Sequence, residues 1–264
     1  MSEATSEWRA YAERLGFLKP EYAEKDYLQE LLLYWLFSGK LATVLVFRGG
    51  TAISKLYGSG RFSEDLDFIL SEETGEDAVK TAVNAAIKGI SLQYAASATV
   101  KAYRNMLKYE LKVKGPLYLT SHNPQATQTI GIDLNLFERP MLKVELTLRR
   151  PIYTNIPNYL LNAPSAIELL ADKVKAIMER SEPVARDLYD AWILSTKYKI
   201  RLDLGLVDKK MQAYGKNENE RFSVEELRAR IDAIRSVWAN EMRLLLRNPP
   251  EYETVSEEFL ELIQ

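Results

Sequence analysis

The stretch from Val46 to Leu70, VFRGGTAISKLYGSGRFSEDLDFIL, leaves this chain few folds to choose from. An apolar run, Val44 to Phe47, enters a Gly49-Gly50 turn; a short helical stretch, Ala52 to Tyr57, follows; a polar bend, Gly58 to Ser63, then leads into Glu64-Asp65-Leu66-Asp67-Phe68-Ile69-Leu70. Side chains alternate along a strand, so Asp65 and Asp67 share one face while Leu66 and Phe68 take the other. Two neighbouring carboxylates repel, and the apolar flanks imply a buried strand, where unpaired charge is expensive. A divalent cation is the usual remedy. Mg²⁺ suits such a site, because it prefers one or two carboxylates plus substrate phosphates to an all-protein cage. The glycine pair lets backbone approach a phosphate, and the N–H groups opening the next turn point at the anion. Gly49-Gly50 and Asp65-x-Asp67 therefore read as two halves of one site. The plainer reading, a turn beside a solvated acidic strand, fits an isolated Asp-x-Asp better than one set between apolar runs.

What the chain lacks narrows its chemistry further. It has no cysteine and one histidine, His122, which excludes disulfides, thiolate metal sites and cysteine nucleophiles and leaves little room for a histidine relay. Catalysis must rest on carboxylates, Lys, Arg, hydroxyls and a metal. His122 sits beside Asn123-Pro124 in the polar 120–128 stretch and reads as an exposed loop residue. The longest apolar run, Leu31 to Phe37, falls far short of the roughly 20 residues that span a bilayer, and the polar N-terminus is unlike a signal peptide. A cytoplasmic protein without membrane contact is expected. The net charge of −2 argues against nonspecific coating of nucleic acid. Residues 99–150 nevertheless carry nine Lys or Arg against four acids. That excess is either a phosphate-facing patch or a solvated strand face.

Helical periodicity places helices at 6–15 and 21–37, the second with Tyr22, Tyr27, Leu28, Leu31, Leu32 and Trp35 inward and Gly39 as its stop. A surface helix is expected at 72–88, ending near Gly89. Strands follow at 92–103 and 106–114, joined by an Arg104-Asn105 turn, and then at 129–137 and 143–148. Ile130, Ile132, Leu134 and Leu136 alternate with Gly131, Asp133 and Asn135, which sets Asp133 opposite the apolar face. After Arg150, prolines 151, 157 and 164 punctuate an irregular connector, and helices fill the remainder: 165–180, 186–198, one begun by Ser223-Val224-Glu225-Glu226 and reaching Leu246, and a short one at 255–263. A polar loop is expected at 216–220. On the 186–198 helix Asp187 and Asp190 lie one turn apart and share a face.

A glycine pair after a strand, a short helix and Asp-x-Asp on the next strand resemble the signature of the nucleotidyltransferase superfamily. Phe47-Arg48-Gly49-Gly50-Thr51-Ala52 with Arg61-Phe62-Ser63-Glu64-Asp65-Leu66-Asp67-Phe68 is more narrowly similar to the AbiEii/AbiGii family, the nucleotidyltransferase-like toxins of abortive-infection and toxin–antitoxin systems. Asp172-Lys173-Val174-Lys175-Ala176, Arg180 and Arg186-Asp187-Leu188-Tyr189-Asp190 resemble that family's lysine motif and the Arg-Asp-x-x-Asp after it. The resemblance covers roughly residues 40–195.

The resemblance implies an α+β fold: a mixed sheet with flanking helices as the catalytic domain, residues 1–155, and a helical domain, 156–264, closing the active-site cleft. It implies that Asp65, Asp67 and a third carboxylate hold Mg²⁺. Asp133 is the candidate, with Gly131 and Asn135 leaving room on its face; Glu145 competes. Arg48, Gly49, Gly50, Thr51, Arg61, Ser63 and Lys173 would bind the NTP, and Asp187 would orient substrate or Lys173. Asp190 is assigned a structural role. The expected activity is transfer of NMP from an NTP to an acceptor such as the tRNA 3′ end by a toxin with a cognate antitoxin. Transfer to a protein or small molecule, phosphoryl transfer, and a non-catalytic nucleotide-binding module are the alternatives.

Overall fold

Residues 20–37 are apolar around most of their circumference, and such a helix belongs inside. In the computed structural model, which describes residues 3–215 and 221–263, this is helix α2 (Pro20–Phe37), with Leu28, Leu32 and Leu33 fully buried. It packs beside the sheet and against α1 (Glu3–Leu15) and α4 (Glu76–Ser91). The polar loop expected at residues 216–220 lies outside the described residues. Among those described, no helix is long and apolar enough to cross a membrane.

The main sheet has five strands in the order β1-β2-β5-β4-β3, formed by β1 (Leu45–Arg48), β2 (Leu66–Leu70), β3 (Ala95–Tyr103), β4 (Met106–Lys114) and β5 (Gln128–Asn135). All neighbours are antiparallel except β2 and β5. The mixed sheet with its flanking helices is the α+β architecture expected from the sequence. Helix α3 (Gly49–Tyr57) follows β1 directly, and α5 (Pro116–Ser121) follows β4.

Four local expectations need correction. The helix after β2 begins at Glu76 rather than 72 and runs past Gly89 to Ser91. Gly89 is no stop signal: a Cβ there would strike the Trp35 ring, so the missing side chain is what lets α2 and α4 close on each other. The polar 120–128 stretch is not all loop: its first residues close the helical turn Pro116–Ser121, whose cap, His122, is exposed with φ +52°, and Pro124–Ala126 forms a 3₁₀ turn. The strand expected at 143–148 is β6 (Glu145–Arg149), which leaves the main sheet and pairs with β7 (Tyr159–Ala163), inside the supposed connector. β7 is held because Tyr159, Leu161 and Ala163 are buried and Asn162 Nδ2 donates to the Ala42 carbonyl at 2.8 Å.

The later helices are α6 (Ala166–Glu179), α7 (Ala185–Trp192), α8 (Leu204–Tyr214), α9 (Val224–Leu245) and α10 (Tyr252–Glu261). Ser165 and Ser223 cap α6 and α9 as expected, accepting from Glu168 N and Glu226 N. The stretch 193–197 continues α7 as a π-helical turn.

Buried apolar side chains form two clusters. The first runs from Trp8 to Ala163; the second comprises residues from Leu169 to Phe259 together with Ile53 of α3. Helix α3 thus reaches from the sheet into the helical cluster, and its N-terminus, Gly49-Gly50, lies on the seam between them. A cleft of about 630 Å³ opens there.

Candidate active site

Strand register assembles the sheet wall of the cleft. Antiparallel pairing sets Arg48 opposite Asp67, parallel pairing sets Asp67 abreast of Asp133, and β4 brings Lys108 beside Asp133. Asp65, one residue before β2, lies against Gly131, where a Cβ would collide with its carboxylate. Gly49 has φ +79°, and a Cβ there would run into Asp67. Glycine is therefore required at 49 twice over, for its backbone conformation and for space. Asp65, Asp67 and Asp133 all line the cleft. Glu145, on the separate two-stranded sheet, does not.

This wall is short of positive charge. Burial pushes the Asp67 carboxyl above its ordinary range, and Asp133 and Asp65 push it further, against a partial counterweight from Arg48 and Lys173. Among the described residues neither Asp65 nor Asp67 forms an ion pair, whereas Asp133 accepts from Lys108 Nζ at 2.6 Å. No group of three or more Asp, Glu, His or Cys among the described residues is arranged to hold a metal. The donor set still suits Mg²⁺ delivered with a nucleotide, which needs only one or two carboxylates besides phosphate oxygens. Asp65 and Asp67 supply those two. Asp133 has its Oδ2 engaged by Lys108 and would join them through Oδ1.

The opposite wall is built from α6 and α7, and its buried Lys173, Asp187 and Asp190 are all paired. Lys173 Nζ stands 2.8 Å from both Asp187 Oδ1 and Asp190 Oδ2. Arg61 Nε and Nη2 each donate to Asp190 at 2.6 Å, a bidentate contact, and Arg180 Nε donates to Asp187 at 2.5 Å. Burial alone would raise Asp187, but Lys173 and Arg180 bring it down to about 2. Burial likewise opposes charge on Lys173, and Asp187 and Asp190 outweigh it, so the ammonium stays protonated with its pKa raised. With Asp172 and Arg186, which also line the cleft, four cations (Arg61, Lys173, Arg180, Arg186) stand against three carboxylates (Asp172, Asp187, Asp190) and leave this wall positive.

Several residues expected to bind nucleotide also brace the site, and Arg48, Arg61 and Ser63 line the cleft. Arg61 is 1% exposed and held by Asp190 and by the Phe62 carbonyl; a Cβ on Gly50 would collide with it, so Gly50 is the gap through which the guanidinium passes. Arg48 pairs with Glu138 at 2.5 Å and Asp172 at 3.5 Å, and Asp172 continues to Lys210 and Glu168. The buried Thr51 hydroxyl bonds Ser63 Oγ at 2.8 Å and the Asp65 carbonyl, fixing the approach to β2; Ser63 lines the cleft and Thr51 does not. Gly49, Gly50 and Lys173 line the cleft as expected. Asp190 has the structural role assigned to it. Glu138 and Lys108 were missed, and Asp172 was quoted only as part of the lysine motif. Lys108 was legible once Asp133 was placed, from the alternation of β4; Glu138 carries no local signal.

A family model described as "Nucleotidyl transferase AbiEii toxin, Type IV TA system" matches residues 31–263. Among solved structures, MenT4, nucleotidyltransferase toxin Rv2826c from Mycobacterium tuberculosis H37Rv, is similar over 98% of this chain and 89% of its own, at 19% identity and a TM-score of 0.68. JHP933 from Helicobacter pylori is similar over 93% and 91%, at 18% identity and a TM-score of 0.59. At such identities the likeness is one of fold. No curated protein matches the chain in sequence.

Proposed function

Starting from the fact that this chain belongs to the AbiEii nucleotidyltransferase toxin family of type IV toxin–antitoxin systems, we propose that it transfers NMP from an NTP to an RNA acceptor, the tRNA 3′ end, with Mg²⁺. The observation that carries this reading is the Asp65–Asp67 pair, unpaired and raised in pKa at Asp67, facing a positive wall across a cleft of nucleotide size. Residues 1–155 act as the catalytic domain, 156–264 as the helical domain that closes the cleft, and the cytoplasm supplies both substrates.

Each residue then has a task. Gly49 and Gly50 open α3 with backbone N–H groups that receive phosphate. Asp65 and Asp67, with Asp133 as the third carboxylate, hold the cation, which when bound offsets charge on the phosphates. Lys173, kept charged and aimed by Asp187, contacts the triphosphate. Arg48, Arg61, Thr51 and Ser63 serve the nucleotide by fixing Gly49, Gly50 and Asp65. The acceptor hydroxyl oxygen bonds to the α-phosphorus as the bond to pyrophosphate breaks, and a carboxylate of the sheet wall takes the hydroxyl proton.

The test is incubation of purified protein with Mg²⁺, total tRNA and each α-³²P NTP in turn, beside Asp67→Ala. Label on tRNA that vanishes in the variant supports the reading and identifies the base. Label on protein or a small molecule instead would replace the acceptor.

A further inference from the structure

The row of charges that crosses the cleft continues beyond it. Past Asp133 and Lys108 the register reaches Lys101 on edge strand β3, so two lysines stand directly opposite each other in an exposed sheet. Like charges in that position destabilise a strand pair. Lys108 is shared with Asp133, while Lys101 forms no ion pair among the described residues. On β4, Leu107, Tyr109, Leu111 and Val113 are buried, and Lys108, Glu110, Lys112 and Lys114 face outward. Their partners on β3 across this face are small: Ala95 opposite Lys114, Ser97 opposite Lys112, Thr99 opposite Glu110. The result is a low, open face carrying four lysines against Glu110 and Asp133, in a chain whose net charge is −2.

The geometry points to this outer face of β3 and β4 as the track for the phosphate backbone of the RNA acceptor, leading its end to Asp133 and the cleft. The inference rests on the nucleotidyl-transfer reading above and adds the surface that reading lacks. Continuity and charge both select the occupant. The face begins at Asp133, which lines the cleft, so a strand lying along it delivers its terminus to the phosphate site. Its lysines are exposed and its other side chains mostly short, apart from the exposed Tyr103 opposite Met106 at the cleft end, which suits a polyanion reached by point charges. The residues 99–150 excess seen in the sequence therefore resolves in part into one face.

The test uses the full chain carrying Lys101→Glu and Lys112→Glu together, neither residue contacting the carboxylates of the cleft. Lys40→Glu with Lys88→Glu, exposed positions off this face, matches the change in net charge. Binding of 3′-fluorescein total tRNA is titrated across a salt series, and binding of Mg²⁺·NTP is measured separately. The face variant should lose about tenfold or more in tRNA affinity and flatten the slope of log K against log salt by about 1.4–1.8, two phosphate contacts' worth. Its NTP affinity should match wild type, and the control pair should shift tRNA binding far less. Equal losses in both pairs, or tRNA binding by the face variant equal to wild type, would overturn the track while leaving RNA as acceptor. Wild-type protein that binds NTP but no tRNA would overturn both the track and the acceptor assignment.

Discussion

The two walls of the cleft solve opposite electrostatic problems with the same residue types. On the sheet, Asp65 and Asp67 are set side by side without ion pairs, and the Asp67 carboxyl is raised by burial and by its acidic neighbours. On the helices, Asp187 and Asp190 are buried more deeply than the half-buried Asp67 and the exposed Asp65, each is clasped by two cations, and Asp187 falls to about 2. Buried carboxylates that a fold merely tolerates resemble the second set. A wall that leaves carboxylates only partly compensated beside a compensated one is arranged for a cation that arrives with its substrate.

The contrast can be broken from either side. Asp190→Ala should give the largest effect: it strands Arg61 and half of Lys173 in the interior, and loss of a buried partner costs about 3–5 kcal/mol, read as a lower midpoint in urea unfolding. Asp67→Asn should do the reverse, cutting nucleotidyl transfer by at least about a hundredfold while leaving the fold as stable as wild type or more so. An unstable Asp67→Asn protein would mean that the sheet wall is internally compensated after all.

Acidity separates the walls next. A carboxyl whose folded pKa is depressed stabilises the fold above its unfolded value, about 3.9, and that stability fades as pH falls through the folded value, here about 2 for Asp187. Asp67 has the opposite sign: raised in the folded state, it penalises the fold when charged, and the penalty is relieved as pH falls through its pKa. Transfer activity should accordingly fail on acidification well before the helical wall loosens, with the acid limb of kcat/KM above the ordinary carboxylate range while circular dichroism stays native. The smallest effect is expected for Lys108→Ala. Its pair with Asp133 is half exposed, so stability should change by less than about 1 kcal/mol.

Much of the sheet wall was legible in the sequence because it is local. Gly49-Gly50, Asp65-x-Asp67 and the alternation around Asp133 are written within single strands, and period two fixes which side chains share a face. The preference for Asp133 over Glu145 rested on the small Gly131, and that glycine does make room, though for Asp65. The ion-pair partners of Arg48 and Arg61 were not legible. Arg61 meets Asp190, 129 residues away, and Arg48 meets Glu138 and Asp172, so a motif arginine beside a phosphate turn and one locked in an ion pair read alike until the chain is folded. Strand β7 was hidden by its flanking prolines, and Gly89 looked like a helix stop because a glycine for packing and a glycine for termination are the same letter.

The most direct measurement is the thermal midpoint of wild type and Asp67→Asn, each alone and with saturating Mg²⁺ and NTP. If the sheet wall waits for a cation, the unliganded variant should melt at or above the wild-type temperature, and only wild type should gain several degrees with ligand. A variant that melts lower when unliganded and gains as much with Mg²⁺·NTP would contradict it, since Asp67 would then be an ordinary structural carboxylate.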